Sequence, residues 1–187
     1  MTFHTILGII LAGVLSNNYA LLHFLGTGAV LENERSSKRS LTLGLGTTVV
    51  MLLSTLIAWP LNEYVLKSVP YLQIMAFVVV VLLVVEVIHV AAKNLLDNYC
   101  RSDFVKFAIN GAVLGLTIHN TGHDFLTAII TSVGVGIGFM LTMTLYAKIK
   151  DTCVDEEAIP APFRGLPIAL LTAGMIVLAL MALQFKF

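Results

Sequence analysis

Six long stretches almost free of charge constrain this chain more than any other feature. They run from Met1 to Leu31, Leu41 to Trp59, Tyr71 to Val90, Phe107 to Ile118, Phe125 to Ala147 and Leu166 to Phe185, and among the acids and bases only Glu86 falls well inside one. A span takes about 20 apolar residues, and with about 10 for each connection a chain of this length holds roughly six. Composition agrees: 58% of the 187 residues are hydrophobic and 12% charged, with a mean hydropathy of +0.93. A soluble globular enzyme is excluded. So is a membrane β-barrel, because Phe77 to Val85 reads FVVVVLLVV, without the alternation of a barrel strand. Eleven Lys and Arg balance eleven Asp and Glu, so no basic field is available for nucleic acid, and membrane lipid is the expected surrounding. The expected fold class is an all-α integral membrane protein with six transmembrane helices.

The connections set the orientation. Those after the first, third and fifth stretches carry Arg35, Lys38 and Arg39, then Lys93, Arg101 and Lys106, then Lys148, Lys150 and Arg164; the other side has Lys67 and Lys186. Basic connections stay cytoplasmic, which puts both termini outside a bacterial-type cytoplasmic (inner) membrane. The first stretch lacks a basic n-region and a small-residue cleavage site, so it is expected to remain in the multi-pass mature protein. Cys100 and Cys153 fall in connections expected to be cytoplasmic, where a structural disulfide is disfavoured.

Two stretches have the wrong length. Met1 to Leu31 is too long for a simple span and carries Ser16, Asn17 and Asn18 in its middle; Phe107 to Ile118 is too short and contains Asn110 and Gly111. Asparagine in hydrocarbon is costly unless it bonds to a helix, a carbonyl or a cavity, so interrupted first and fourth helices are expected. The halves also match. FLGTGAVL from Phe24 to Leu31, which includes Gly26 and Gly28, parallels FAINGAVL from Phe107 to Leu114, and LGLG from Leu43 parallels VGVG from Val133. Three spans per half make the halves cross in opposite senses. The expectation is one membrane domain built as a 3+3 inverted repeat, residues 1–92 and 93–187, with interrupted helices meeting near the midplane. The other reading of these glycines is close helix packing.

The same residues resemble a known family. Asn17-Asn18-Tyr19-Ala20-Leu21-Leu22-His23-Phe24-Leu25-Gly26 is similar to the Asn-Asn-aromatic segment, ending in Phe-Leu-Gly, of the first helix of RnfA/NqrE subunits. Asn110-Gly111-Ala112-Val113-Leu114-Gly115 resembles the Asn-Cys-Ala-Val-Leu-Gly motif of their fourth helix. Ile159-Pro160-Ala161-Pro162-Phe163-Arg164-Gly165, followed by Ile168-Ala169 and Thr172-Ala173-Gly174, resembles their entry into the sixth helix. The resemblance covers the whole chain. It implies a membrane subunit of an Rnf/Nqr-like ion-translocating electron-transport complex, paired with a homologous inverted six-helix subunit (RnfE/NqrD-like) and associated with flavin- and NADH-binding subunits.

In that family a cysteine from each broken helix of each partner holds a [2Fe-2S] cluster near the midplane, and a cluster needs four thiolates. Those positions fall here on Gly28 and Gly111. The resemblance thus implies the family's scaffold without its cluster ligands, so no cofactor and no metal is expected on this chain. The expected role is scaffold and part of the ion path; the alternative is a divergent relative that works as a transporter or channel with a homologous partner, without electron transfer.

The remaining polar residues are few. Glu86 lies roughly 23 Å along its helix from Tyr71, toward the cytoplasmic end, and with His89 and Lys93 at i+3 and i+7 reads as one helical face. That face is either an entry stripe for a cation or proton or an interfacial carboxylate with snorkelling neighbours. His23 joins Glu86 and His89 as an ion-path candidate because it lies near the first break. The spacing of His119 and His123 suits a metal on one helical turn, but Gly122 between them argues for a turn, and the pair reads as surface residues at a helix end. Nothing resembles a phosphate loop, a hydrolase triad or a flavin-attachment motif, so no catalytic residue is assigned.

Overall fold

The computed structural model describes residues 3–16, 25, 37–95, 110–153 and 159–184. Among these, all regular structure is helical. The helices are α1 (Phe3–Leu11), α2 (Ser37–Tyr64), α3 (Gln73–Leu95), α4 (Gly111–Asn120), α5 (Phe125–Cys153) and α6 (Leu166–Gln184). Three of them are long and apolar enough to cross a membrane, within Ser40–Tyr64, Pro70–Val90 and Phe125–Cys153.

Two helices outrun their expected ends. The expected span covers the apolar stretch that ends at Trp59, yet α2 continues to Tyr64 with Pro60 inside it. Hydrocarbon offers the backbone no other partner, so a membrane helix tolerates proline that would end a soluble one. The α5 helix passes Ala147 to reach Cys153, since the long stems of Lys148 and Lys150 let their charges reach water beyond the apolar layer.

Helices α2 and α5 form the central pair, with α1 against α5, α4 against α2, α3 and α5, and α6 against α5. Small residues permit these approaches. A Cβ at Gly138 would lie 2.9 Å from Val14 Cα, and one at Gly134 would lie 3.0 Å from Ile10 Cα. On the other side of α5, a Cβ at Gly136 would run into the Thr48 side chain, and one at Gly44 of α2 would lie 2.9 Å from Met140 Cα. The glycines of the two matched segments, Gly44 in LGLG and Gly134 and Gly136 in VGVG, therefore act as helix contacts.

Helix α1 leads into a π-helical turn, Ala12–Ser16. Gly13 in that turn packs on the backbone of α5, where a Cβ would meet Gly134 C at 2.9 Å. On α3 the buried side is Phe77, Val80, Val81, Val84 and Val85, a helical i, i+3, i+4, i+7, i+8 set. Its other side, Val79, Leu82, Leu83, Glu86, Val87 and Val90, is exposed. Helix α6 buries Ala169, Ala173, Ile176 and Val177 in the same way. Its entry motif folds as a 3-10 turn, Ala161–Phe163, followed by Gly165 at φ +81°, a conformation that favours glycine. Arg164 Nε closes the entry by donating to Ile159 O at 2.8 Å.

Candidate functional site

The short helix α4 organises the site. Its first residue is Gly111, and Asn110 caps it from extended backbone (φ −123°, ψ 156°), with a side-chain oxygen accepting from Val113 N at 3.0 Å. An asparagine cap satisfies one of the free amides at a helix start, and α4 accordingly begins at the asparagine that interrupts the fourth apolar stretch. Ten residues at about 1.5 Å each make α4 about 15 Å long, half of a hydrocarbon core about 30 Å thick. Beside its start lies a cavity of about 180 Å³ lined by Val78, Val81, Leu82, Asn110, Gly111 and Leu114. The amide end of a helix favours negative charge, so this opening joins a polar helix start to an otherwise apolar wall.

The far end of α4 is held by a buried polar bridge that sequence reasoning missed. Asn120 is 1% exposed, and its Nδ2 donates to Ser132 Oγ of α5 at 2.8 Å and to Thr55 Oγ1 of α2 at 3.1 Å. Thr55 and Ser132 also bond to each other at 2.9 Å, and Ser132 Oγ donates to Ala128 O at 2.8 Å. Asn120 Oδ1 and Ser54 Oγ are buried without a hydrogen-bond partner among the described residues. Thr55 and Ser132 lie inside apolar stretches, where hydroxyls ask for partners, but Asn120 falls in the connection after the fourth stretch, where nothing local marks it as buried.

Beyond Asn120 the chain turns sharply into α5. Trp59 Nε1 donates to His123 O at 2.8 Å, and its ring meets Phe125 at 5.1 Å between centres. The exposed His119 and His123 rings face one another across this turn.

The sequence-predicted residues scatter over this frame. Asn110 is half-buried and Gly111 exposed, both at the start of α4. Asn17, Asn18, His23, Gly26 and Gly28 lie outside the described residues, as does Cys100. Glu86 and His89 do not share an environment: Glu86 is on the exposed side of α3, whereas His89 is 8% exposed, on the side packed into the protein. The continuous face expected from their spacing is thus divided, because the edge of the packed stripe runs between them. Cys153 is exposed at the end of α5.

Among the described residues at the start of α4 no side chain is one that ligates an iron-sulfur cluster. The cavity beside Gly111 is walled by Val78, Val81, Leu82 and Leu114, with no thiolate among them, and a [2Fe-2S] cluster is held by cysteine.

Comparison with known proteins places this architecture. Residues 6–186 match the family described as "Rnf-Nqr subunit, membrane protein". The chain is 33% identical over 175 residues to the A component of the ion-translocating oxidoreductase complex of Sodalis glossinidius and to that of Edwardsiella ictaluri. It is 34% identical to the same component from Escherichia coli O1:K1, and in each case 90% of both chains is covered. A short capped helix beside two long ones, and a match along almost the whole length, lead to one conclusion: this chain belongs to the Rnf-Nqr family of membrane subunits.

Proposed function

We propose that the chain is the A-type membrane component of an Rnf/Nqr-like ion-translocating electron-transport complex, forming scaffold and part of the ion path. The observation that carries this reading is α4 itself, a half-length apolar helix that starts at the Asn110-Gly111 cap beside a cavity. Helices that begin at mid-depth are how membrane transporters place polar backbone groups in the apolar layer. In this reading six helices form a 3+3 inverted repeat with interrupted first and fourth spans, in a bacterial cytoplasmic membrane with both termini outside. The partner is a homologous subunit of opposite topology, and flavin- and NADH-binding subunits complete the assembly. The exposed side of α3, which carries Glu86, supports a place for that carboxylate at the partner or in the ion path, because a charge facing lipid is costly. Asn120 Oδ1 and Ser54 Oγ are two buried oxygens with unused capacity to accept a hydrogen bond among the described residues.

The proposal includes the absence of a cluster ligand at Gly28 and Gly111. Co-expression with the homologous inverted subunit, purification of the pair, and measurement of iron and visible absorbance test it. The expected result is a stable pair without stoichiometric [2Fe-2S] bound through this chain; a stoichiometric cluster lost in a variant of this chain overturns it.

The glycine at position 111 also favours a second reading, a transporter or channel that has left electron transfer behind. NADH-driven ion uptake into vesicles holding the assembled complex supports the first reading. Ion flux by the pair that is indifferent to NADH supports the second.

A further inference from the structure

The turn after α4 carries two histidines whose ring nitrogens converge. His119 Nε2 and His123 Nε2 share a hydrogen bond at 3.3 Å, with ring centres 5.0 Å apart and planes inclined by 61°, and an ion bound between them replaces the shared proton. Two imidazole nitrogens bound to one tetrahedral zinc ion, each at about 2.0–2.1 Å, stand about 3.3 Å from one another, and their ring centres about 5.1 Å. The turn at Gly122 does not separate the pair. Gly122 N donates to His119 O and His123 N to Asn120 O, both at 3.3 Å, which keeps residue 123 folded back over residue 119.

The backbone between the rings is held on both sides. Asn120, one residue after His119, is anchored to Thr55 and Ser132, and the carbonyl of His123 is anchored to Trp59. A binder whose donors are already in place loses little freedom on binding. Both side chains are exposed, so an ion reaches them directly from the aqueous phase.

We propose that His119 and His123 form a binding site for a divalent transition-metal ion of the Zn²⁺, Ni²⁺ and Cu²⁺ class. Imidazole nitrogen suits these ions, whereas Mg²⁺ and Ca²⁺ take oxygen. Among the described residues no third His, Cys, Asp or Glu joins the pair, and the two imidazoles are the ligands assigned to the ion. A bound ion links the last turn of α4 to the turn into α5, and through the Trp59 bond it stiffens the end of α2 as well.

The test uses the full chain, purified without a histidine tag and titrated with Zn²⁺ by calorimetry. The expected result is one saturable site per chain, weakened in His119→Gln and in His123→Gln, each of which removes one of two imidazole ligands. The double variant should bind no more tightly than either single one, because the last imidazole of the site is then gone. His4→Gln should bind as the parent does. Thermal unfolding without metal verifies that each variant is folded. Electron paramagnetic resonance of Cu²⁺ bound to the parent chain provides a second measurement that needs no variant, and coupling to two imidazole nitrogens is expected. Absence of saturable Zn²⁺ binding, binding of parental strength in either single variant, or oxygen-only ligation of Cu²⁺ overturns the proposal.

Discussion

Asn120 Nδ2 donates to Ser132 Oγ at 2.8 Å, tying the end of the short helix α4 to the first third of the long helix α5. With Thr55 from α2 joining the same pair, three helices meet at one amide. Asn120→Ala removes both bonds and should lower stability by about 1–2 kcal/mol. A double-mutant cycle with Ser132→Ala should return a coupling of about 0.6 kcal/mol, the usual scale inside membranes. Thermal unfolding of the purified chain checks both, and a null effect of Asn120→Ala would remove the bridge from the account of the fold.

Gly138 and Gly174 are predicted to respond oppositely to a methyl group. At Gly138 the added Cβ meets Val14 Cα at 2.9 Å and Gly13 O at 3.0 Å, and at Gly174 it meets nothing within 4 Å. Backbone atoms do not swing aside as a flexible side chain does, so Gly138→Ala should cost about 1–3 kcal/mol. Gly174→Ala should be neutral or stabilising by up to about 1 kcal/mol, because alanine is the better helix former. Equal shifts in the two variants' unfolding temperatures would contradict the contact between the Ala12–Ser16 turn and α5.

The cap at Asn110 separates side-chain chemistry from apolar packing. Asn110→Ala removes the acceptor for Val113 N and should cost about 0.5–2 kcal/mol, whereas Asn110→Ser should retain most of the stability. Hydrogen exchange at the first amides of α4 is the direct readout, with faster exchange expected in the alanine variant alone.

Glu86 lies on the exposed side of α3. Glu86→Gln should therefore change the stability of the isolated chain by less than about 0.5 kcal/mol. In the assembled complex the same variant should reduce ion uptake, since the carboxylate there is expected at the partner or in the path. Unchanged uptake would limit Glu86 to an interfacial role.

The positions most legible in the sequence are those fixed by desolvation and local geometry. Charge-free stretches predict helices over Leu41 to Trp59, Tyr71 to Val90 and Phe125 to Ala147, and the long apolar helices lie there. The prediction that Asn110 and Gly111 mark a special point in the fourth stretch coincides with the cap of α4. The helix ends beyond Trp59 and Ala147 were less legible, because an apolar run marks the extent of the hydrocarbon layer and not the end of the helix. The packed side of α3 was hidden altogether. Phe77 to Val85 is apolar on every side, and lipid is as apolar as the protein interior, so no periodicity distinguishes Val81 from Val79.

Taken alone, the amino-acid sequence determined the medium, the helical class and the family, because each residue's cost in hydrocarbon is local and the family motifs are contiguous. Only the tertiary structure decided which residues act together. It put Glu86 outside and His89 inside, joined Asn120 to Thr55 across 65 positions, and gave Gly13 a partner at Gly134. It also folded His123 back onto His119. These relationships arise from how whole helices press against one another, and van der Waals contact and buried hydrogen bonding choose among packings that an almost uniformly apolar sequence leaves open.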